Sequence, residues 1–216
     1  MLNKIVNRYK QFGFIWLLKT ILFYPIRYIY HKKNFVIVAL NKRTQNTVNN
    51  KIVELSKKLI QDYLNKGIIS NNESKKFSTL LNQNSEGYIL FENDELAAYG
   101  FVQKTGHYFY GKNNLYTIPP EVNIFKNLYV KPKFRGMSLG NKINVARIQG
   151  VPYDIIPVVF LVSENVIALR NLKSLGFVEY ISIENILLFN KIYKRNINVL
   201  NSDTITEKIL TGFNLK

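Results

Sequence analysis

The sequence predicts a mixed α/β domain in which helices pack on a central sheet. Two observations favour this class. Short runs rich in β-branched and aromatic residues recur along the chain, and segments with apolar residues on one helical face alternate with them. The predicted order is one strand, two helices, several antiparallel strands, and then strand, helix, strand, helix and two closing strands.

The first half of the chain contributes a strand at residues 35–40 and two helices at 51–66 and 73–83. An Asn- and Thr-rich loop separates the strand from the first helix, and Gly67 stops that helix. Residues 88–91 and 96–102 predict a hairpin across a polar turn. Residues 107–110 predict a further strand, and 111–120 a loop.

Residues 123–149 form the stretch around which the rest of the chain is organised. Residues 123–130 predict a strand, which ends before Pro132 because proline lacks the backbone N–H of a central ladder. Residues 141–149 predict a helix from the apolar face of Leu139, Ile143 and Ala146.

Small residues occupy the turn between this strand and this helix. Gly136, Ser138 and Gly140 let the backbone approach a ligand closely, and Arg135 adds a cation. The first N–H groups of a helix bind anions, so the turn predicts a site for a pyrophosphate and hence a phosphorylated cofactor.

The last part of the chain predicts a buried strand at residues 155–162 and a helix at 165–175 ended by Gly176. Residues 177–183 and 186–193 predict two closing strands. Residues 196–216 are a polar tail that we expect to fray.

The composition restricts the kinds of site that the chain offers. Its 47% of hydrophobic residues suffices for a core. There is no cysteine, which excludes disulfides and thiolate metal sites, and with only His31 and His107 a histidine metal cluster is excluded as well. A reducing, cytoplasmic setting is compatible with this composition.

The positive charge is concentrated near the N-terminus. The net charge is +16, and residues 1–53 carry ten Lys and Arg and no acid. Such charge fits an anionic membrane or nucleic acid. We do not predict nucleic-acid binding, because no known module is present and the aromatic residues of this segment lie in an apolar run rather than on a basic stacking platform.

Residues 1–33 form a basic, aromatic arm, followed by a domain at 34–195 and the tail at 196–216. Residues 12–30 are nearly all apolar or aromatic, interrupted by Lys19, Pro25 and Arg27. Three interpretations stay open for this run. It is an amphipathic, kinked helix in the membrane interface, a terminal helix packed on the domain, or a short membrane-spanning helix.

Two phrases of the sequence resemble the signatures of the GNAT superfamily, the GCN5-related N-acetyltransferases. Residues 128–140 read Leu-Tyr-Val-Lys-Pro-Lys-Phe-Arg-Gly-Met-Ser-Leu-Gly, similar to the acetyl-CoA signature, with Ser138 at the position of its middle glycine. The second phrase reads Val-Ser-Glu-Asn at 162–165, then Ala168, then Lys-Ser-Leu-Gly-Phe at 173–177. Both occur in the family's order and spacing.

The resemblance implies a central, mostly antiparallel twisted sheet flanked by helices, and acetyl-CoA or another acyl-CoA as co-substrate. Backbone groups of Leu128 and Val130 would pair with the pantetheine arm, and Asn165 would contact the pantetheine or its thioester end. The pyrophosphate would be held by Arg135, Gly136, Met137, Ser138, Leu139 and Gly140. The alternatives are a surface cation at Arg135, a helix cap at Asn165, and ordinary core residues at Leu128 and Val130.

The chemistry implied by the resemblance is direct attack of an amine on the thioester, without a resident metal. The tyrosine that commonly protonates the leaving thiolate falls on Leu172, and the usual carboxylates of the central strand fall on Ile124 and Lys126. Glu121 and His107 remain candidates for the base, because either accepts a proton near neutral pH, directly or through water. Tyr180 and Ser174 are candidates for the acid, and departure of the thiolate without an acid is the alternative.

The sequence therefore predicts an acyl-CoA-dependent N-acyltransferase that moves acetyl to an amine of a small molecule or an amino sugar. The arm resembles that of bacterial family members connected with surface-polysaccharide synthesis. This second resemblance implies a cytoplasmic protein held peripherally at the inner face of the plasma membrane. The alternative, indicated by Leu172, is a catalytically silent module that binds acyl-CoA.

Overall fold

The computed structural model describes residues 30–43, 52–110, 115–189 and 191–215. Within these ranges the chain falls into two compact units. The smaller is built from residues up to Asn34 and from Ile183–Ile197, and the larger from Phe35–Ser182 and the residues from Asn198 onward.

Strands outnumber helices in the described part of the chain. The first half comprises β1 (Tyr30–Leu40), β2 (Ile52–Leu55), α1 (Lys57–Asn65), α2 (Asn71–Asn82), β3 (Ser85–Glu92), β4 (Glu95–Gln103), β5 (His107–Phe109) and β6 (Leu115–Thr117). The second half comprises β7 (Val122–Val130), a 3-10 turn (Pro132–Phe134), α3 (Leu139–Gln149), β8 (Ile156–Val162), α4 (Val166–Lys173), β9 (Phe177–Leu188), β10 (Lys191–Val199) and α5 (Thr204–Gly212).

Eight strands form one sheet in the order β10-β9-β1-β8-β7-β4-β3-β2, and β5 and β6 form a separate hairpin. The pairs β1/β8, β2/β3, β3/β4 and β4/β7 are antiparallel, whereas β7/β8 is parallel. The predicted fold class, a mixed α/β architecture with a mostly antiparallel sheet, is therefore confirmed.

Helices cover both faces of the sheet in the larger unit because its central strands are apolar on both sides. One core cluster joins α3 and α4 to the sheet through Leu139, Ile143 and Leu172. The other joins α1 and α2 to the opposite face through Ile60 and Phe77. The two clusters fix the central strands from both sides.

The smaller unit is stabilised by polar contacts around Glu184. Its carboxylate pairs with Lys32 at 3.2 Å and accepts a hydrogen bond from Asn196 Nδ2 at 3.0 Å. The hydrogen bond from Lys32 lowers the pKa of Glu184. Nearby, Arg195 Nε donates to Asn185 Oδ1 at 3.1 Å.

Several predicted boundaries are wrong near strand ends. Strand β1 begins at Tyr30, five residues before the predicted start. The predicted helix at 51–66 divides into β2 and α1. Ile52 and Leu55 pack in the two different core clusters, as residues three apart on a strand do, and Ser56 caps α1 by accepting from the Leu59 N–H. The predicted strand break after Ile183 is absent, since β9 runs on to Leu188.

The expected frayed tail is also wrong, because residues 204–212 form α5. Asp203 and Thr206 close a capping box at its start, and Ile209, Phe213 and Leu215 are buried. Phe213 packs against Tyr116 and Phe160, with ring centroids 5.8 and 5.3 Å apart. Tyr116 lies on β6, although the sequence predicts a loop for residues 111–120.

Most of the basic arm, residues 1–29, lies outside the described residues, so the three interpretations of residues 12–30 stay predictions. The four described residues at its C-terminal end, 30–33, belong to β1. Among the residues that are described, no helix has the length and apolar character needed to cross a membrane.

Gly176 provides a test of the junction between α4 and β9. Its φ is +93°, and a Cβ there would lie 2.4 Å from the backbone oxygen of Lys42. We expect Gly176→Ala to lower the free energy of unfolding in urea by about 3 kcal/mol, through backbone strain and overpacking together.

Gly67→Ala is the matched control for this substitution. Gly67 also has a positive φ, +68°, but no atom of the described residues lies within 4 Å of its added Cβ. The control should therefore lose only about 1 kcal/mol, from the left-handed backbone alone. Equal losses at both positions would contradict the close contact at Gly176.

Candidate functional site

The candidate site begins where β7 separates from β8. The parallel ladder has three residue pairs, of which Ile124 with Val158 is the last. Beyond it, β8 continues antiparallel to β1 and β7 continues along β4. Within the described residues, a wedge therefore opens between β7 and β8 from Phe125 onward.

A β-bulge lies on β7 beside this wedge. Gly100 of β4 is opposite two residues of β7, Asn127 and Leu128, and Asn127 has a φ of +53°. Such a bulge bends its strand and increases the local twist. The bend directs β7 away from β8.

The backbone of β7 presents hydrogen-bonding groups to the wedge. The Lys131 N–H donates to the Ala97 carbonyl of β4 at 2.9 Å. Successive residues of a strand direct their backbone N–H and C=O groups to opposite edges. The backbone groups of Tyr129, two residues before Lys131, therefore also face β4. Leu128 and Val130 therefore face the wedge, and the Leu128 side chain is 41% exposed rather than part of the core.

The turn before α3 presents a series of free backbone donors. Among the described residues, the five successive N–H groups from Gly136 to Gly140 have no acceptor. The next two, of Asn141 and Lys142, both donate to the Ser138 carbonyl at 3.1 and 3.2 Å. The turn and the positive end of the α3 dipole together form a site with the chemistry to bind an anion.

Ser138 adopts the backbone conformation that glycine favours. Its φ is +55° and its ψ is 20°, in the left-handed region, and its side chain makes no capping hydrogen bond to α3. The serine therefore takes the geometry of the glycine that the signature prefers. Gly136, two residues earlier, has a φ of +85°.

Two residues of the second phrase, Asn165 and Gly176, have structural roles. Asn165 is the N-cap of α4, and its Oδ1 accepts from the Ala168 N–H at 3.2 Å. Its side-chain NH₂ group stays available. Gly176 is required by the close approach of the Lys42 backbone, so this glycine serves the fold.

A cavity of about 510 Å³ lies beside the bulge on β7. It reaches the surface at Phe109, which is 66% exposed. Its lining combines polar and apolar groups from α2, β4, β5, β7 and the turns that join them. The lining residues are Leu80, Gln83, Asn84, Gln103, Thr105, Gly106, His107, Tyr108, Phe109, Lys126 and Asn127.

The floor of the cavity is a hydrogen-bond network around Gln103. Its Nε2 donates to the carbonyls of Thr105 and His107 at 3.1 and 3.0 Å. Its Oε1 is thereby oriented as an acceptor, and it receives a hydrogen bond from Lys126 Nζ at 2.6 Å. Burial lowers the pKa of Lys126 to about 8.

The sequence reasoning missed Lys126 and Gln103 as site residues. The family resemblance marks Lys126 only as a position where a carboxylate is absent. The available signal was a lysine in the middle of an otherwise apolar central strand, where burying a charge is unfavourable without a compensating role. Gln103 gave no signal, because its partners are backbone carbonyls.

The structure places the three predicted catalytic candidates in different surroundings. His107 borders the cavity, and its Nδ1 is 3.4 Å from Thr117 Oγ1. Glu121 precedes β7 at the closed end of the ladder, where its carbonyl accepts from the Ile156 N–H. Tyr180 is fully buried on β9, and burial together with Asp203 raises its pKa to about 12. Of the three, only His107 lines the cavity.

No family model matches the chain, and no curated protein matches it. Among solved structures, the chain is similar to a Novosphingobium aromaticivorans protein assigned to the GNAT family of acetyltransferases, with 14% identity over 71% of this chain and 63% of that chain, and a TM-score of 0.49. It is similar to a GNAT-family acetyltransferase from Colwellia psychrerythraea, with 14% identity over 73% and 55% of the two chains and a TM-score of 0.46.

A third similar structure is aminoglycoside N-acetyltransferase AAC(6')-Iy in complex with CoA, with 15% identity over 59% of this chain and 91% of that chain, and a TM-score of 0.39. The chain spans less than two thirds of the length of the first two structures. Two of the three carry the name of the family whose motifs the sequence resembles. At such low identities and TM-scores, the function has to be argued from the site.

Ser138 gives a test of the turn. We expect Ser138→Gly to raise the free energy of unfolding by about 0.5 to 1 kcal/mol, because glycine removes the strain of the left-handed backbone and no side-chain hydrogen bond is lost. Urea denaturation measures this difference. Ser138→Ala keeps the strain and should change the free energy by less than about 0.5 kcal/mol. A loss of stability in the glycine variant would show that the serine side chain contributes to the turn.

Proposed function

We propose that the protein is an acyl-CoA-dependent N-acyltransferase, which moves acetyl from acetyl-CoA to an amine of a small molecule or an amino sugar. The observation that carries the proposal is the wedge between β7 and β8, with the free N–H groups of residues 136–140 beside it. An extended, amide-containing chain that ends in a pyrophosphate fits this combination.

The donor would bind by adding to β7 as a further strand. The amides of the pantetheine arm would pair with the backbone groups of Leu128 and Val130. The pyrophosphate would accept hydrogen bonds from the turn before α3, and Arg135 would add its charge. Asn165 would use its side-chain NH₂ group, since its oxygen is engaged at the start of α4.

The transfer would proceed by attack of the neutral amine on the thioester carbonyl. A C–N bond forms, the C–S bond breaks, and the amine loses a proton. His107 is our first candidate for the proton acceptor, because it lines the cavity. Glu121 would act only through water, and Tyr180 would have to become accessible before it could protonate the thiolate.

A second function, acyl-CoA binding without transfer, is favoured by one observation. Leu172, which stands where the family resemblance places a proton-donating tyrosine, is buried in the core with α3 and α4. If no other group protonates the thiolate, the thiolate has to leave unassisted. The cavity beside β7, which has room for a small amine, favours transfer over this alternative.

Arg135→Ala tests the donor site. We expect the variant to bind CoA about tenfold more weakly, because it loses a charged contact to the pyrophosphate worth about 1.4 kcal/mol. Its affinity for pantetheine, which lacks the pyrophosphate, should not change. Isothermal titration of both ligands measures the two effects.

Lys133→Ala is the matched control, because Lys133 is an exposed cation two residues away that pairs with Glu95. An equal loss of CoA affinity in both variants would indicate a general charge effect and contradict the assignment of Arg135. Transfer is measured separately as CoA thiol released with a panel of amines. The chain has no cysteine, so the protein gives no background. Tight CoA binding without release on any amine would favour the silent module.

We also propose that the protein binds the inner face of the plasma membrane through its basic arm. The support is the sequence, in which residues 1–53 carry ten cations and no acid. We expect the full chain to sediment with vesicles that contain phosphatidylglycerol and not with pure phosphatidylcholine. About 1 M salt should release it, because the screening length falls to about 3 Å.

The truncated control for the vesicle experiment should lack residues 1–29 and retain 30–33, which belong to β1. This variant should stay in the supernatant with both kinds of vesicle. A full chain that stays in the supernatant with anionic vesicles at low salt would contradict membrane binding.

A further inference from the structure

The cavity beside β7 contains a cation and no acid. Lys126 is the only Lys, Arg, Asp or Glu among its described lining residues. The segments that the structure does not describe contain no Asp or Glu side chain. The charge of the described lining is therefore positive or neutral.

Lys126 is positioned by hydrogen bonds that use only two of the three donors of its ammonium group. Its Nζ donates to Gln103 Oε1 at 2.6 Å, and Gln83 Oε1 lies at 3.4 Å. Gln103 is itself fixed by two backbone carbonyls and is only 2% exposed. An ammonium group has three donors, and within the described residues these two amide oxygens are its hydrogen-bond acceptors. The third donor is left for a ligand.

Partial burial of the charged Lys126 side chain is energetically unfavourable unless another interaction replaces its lost hydration. Among the described residues no carboxylate forms an ion pair with this lysine, although burial lowers its pKa only to about 8 and leaves it mainly charged at neutral pH. A partly buried cation without a carboxylate partner loses hydration that two neutral amides do not fully restore. A bound anion would supply that missing interaction.

The cavity also adjoins the proposed donor site. Asn127 lines it and is followed directly by Leu128, whose backbone groups face the wedge. An acceptor in the cavity would therefore lie next to the strand along which the pantetheine is proposed to bind. This placement makes the cavity the natural position for the second substrate.

We infer that the cavity binds an amine that also carries an anionic group, a phosphate or a carboxylate, and that Lys126 is the residue that contacts this group. That the ligand is an amine rests on the proposed function. That it carries an anionic group rests on the residues of the cavity alone. Polycationic amines are disfavoured as acceptors, because Lys126 repels them and no carboxylate attracts them.

The experiment compares matched ligands that differ by one anionic group. Glucosamine 6-phosphate is compared with glucosamine, and β-alanine with ethanolamine, so that the two pairs distinguish a phosphate from a carboxylate. Binding is read first as the shift of the thermal midpoint of the full chain saturated with CoA. KM for CoA release is measured wherever transfer occurs. The binding readout requires no transfer, so failure of the proposed enzyme activity and failure of the anion site are separate results.

For the wild-type protein we expect the anionic member of at least one pair to bind about tenfold more tightly than its neutral partner. Lys126→Met and Lys126→Gln should both remove this preference. Lys126→Arg keeps the charge and should retain most of it. Lys104→Met is the matched control, because Lys104 is an exposed cation near the cavity that pairs with Glu86 and does not line it. The control should keep the full preference.

Two results would overturn the inference. One is a wild-type protein that shows no preference for the anionic member of either pair. The other is a preference that does not depend on Lys126 specifically. It would then survive in the folded Lys126→Met or Lys126→Gln variant, or would disappear equally in the Lys104→Met control. Rescue by arginine distinguishes a charge contact from a merely structural role, because a structural role would not restore the preference for an anion.

Discussion

The short parallel ladder between β7 and β8 is the constraint on which the rest of the site depends. Had it continued beyond Ile124 and Val158, the two strands would have satisfied each other's backbone groups. Instead, the bulge at Asn127 bends β7 along β4, and the edge of a central strand is left open in the middle of a sheet. Open edges are usually paired or covered. This one lies near the free N–H groups of residues 136–140 and next to the cavity that Lys126 and Asn127 line.

The bulge is supported from within by Arg147 of α3. Its guanidinium is buried, lies 4.5 Å from the centre of the Phe125 ring, and donates to the carbonyls of Phe101 and Lys126. These carbonyls flank the irregular register, so the arginine supplies donors there. Gly100 allows α3 to approach this closely, because a Cβ there would lie 2.8 Å from Ile143 and 3.2 Å from the Arg147 guanidinium. The helix that offers its N-terminus to the proposed pyrophosphate thus also holds the strand open.

The sequence predicted the elements that local sequence features mark. It did not predict the elements whose structure depends on contacts between residues distant in the sequence. The strand before Pro132 and the helix after it were found because proline and an apolar face mark them. The division at Ser56 was missed because Ile52 and Leu55 match the helical period, although in the strand they pack in different core clusters. The last helix was missed because Phe213 reveals its role only through Tyr116 and Phe160. The turn before α3 was predicted from the small residues and the arginine at positions 135–140. The hydrogen bonds around Lys126 could not be predicted, because they depend on backbone carbonyls that no sequence pattern displays.

The contact of the last helix with the β5–β6 hairpin connects the cavity to the order in which the chain is synthesised. His107 lies on a hairpin whose other strand holds Tyr116 against Phe213, near the end of the chain. Proteins emerge from the ribosome N-terminus first. The hairpin therefore leaves the ribosome before Phe213 does. The β5–β6 side of the cavity gains its packing against α5 only once this later segment has been synthesised.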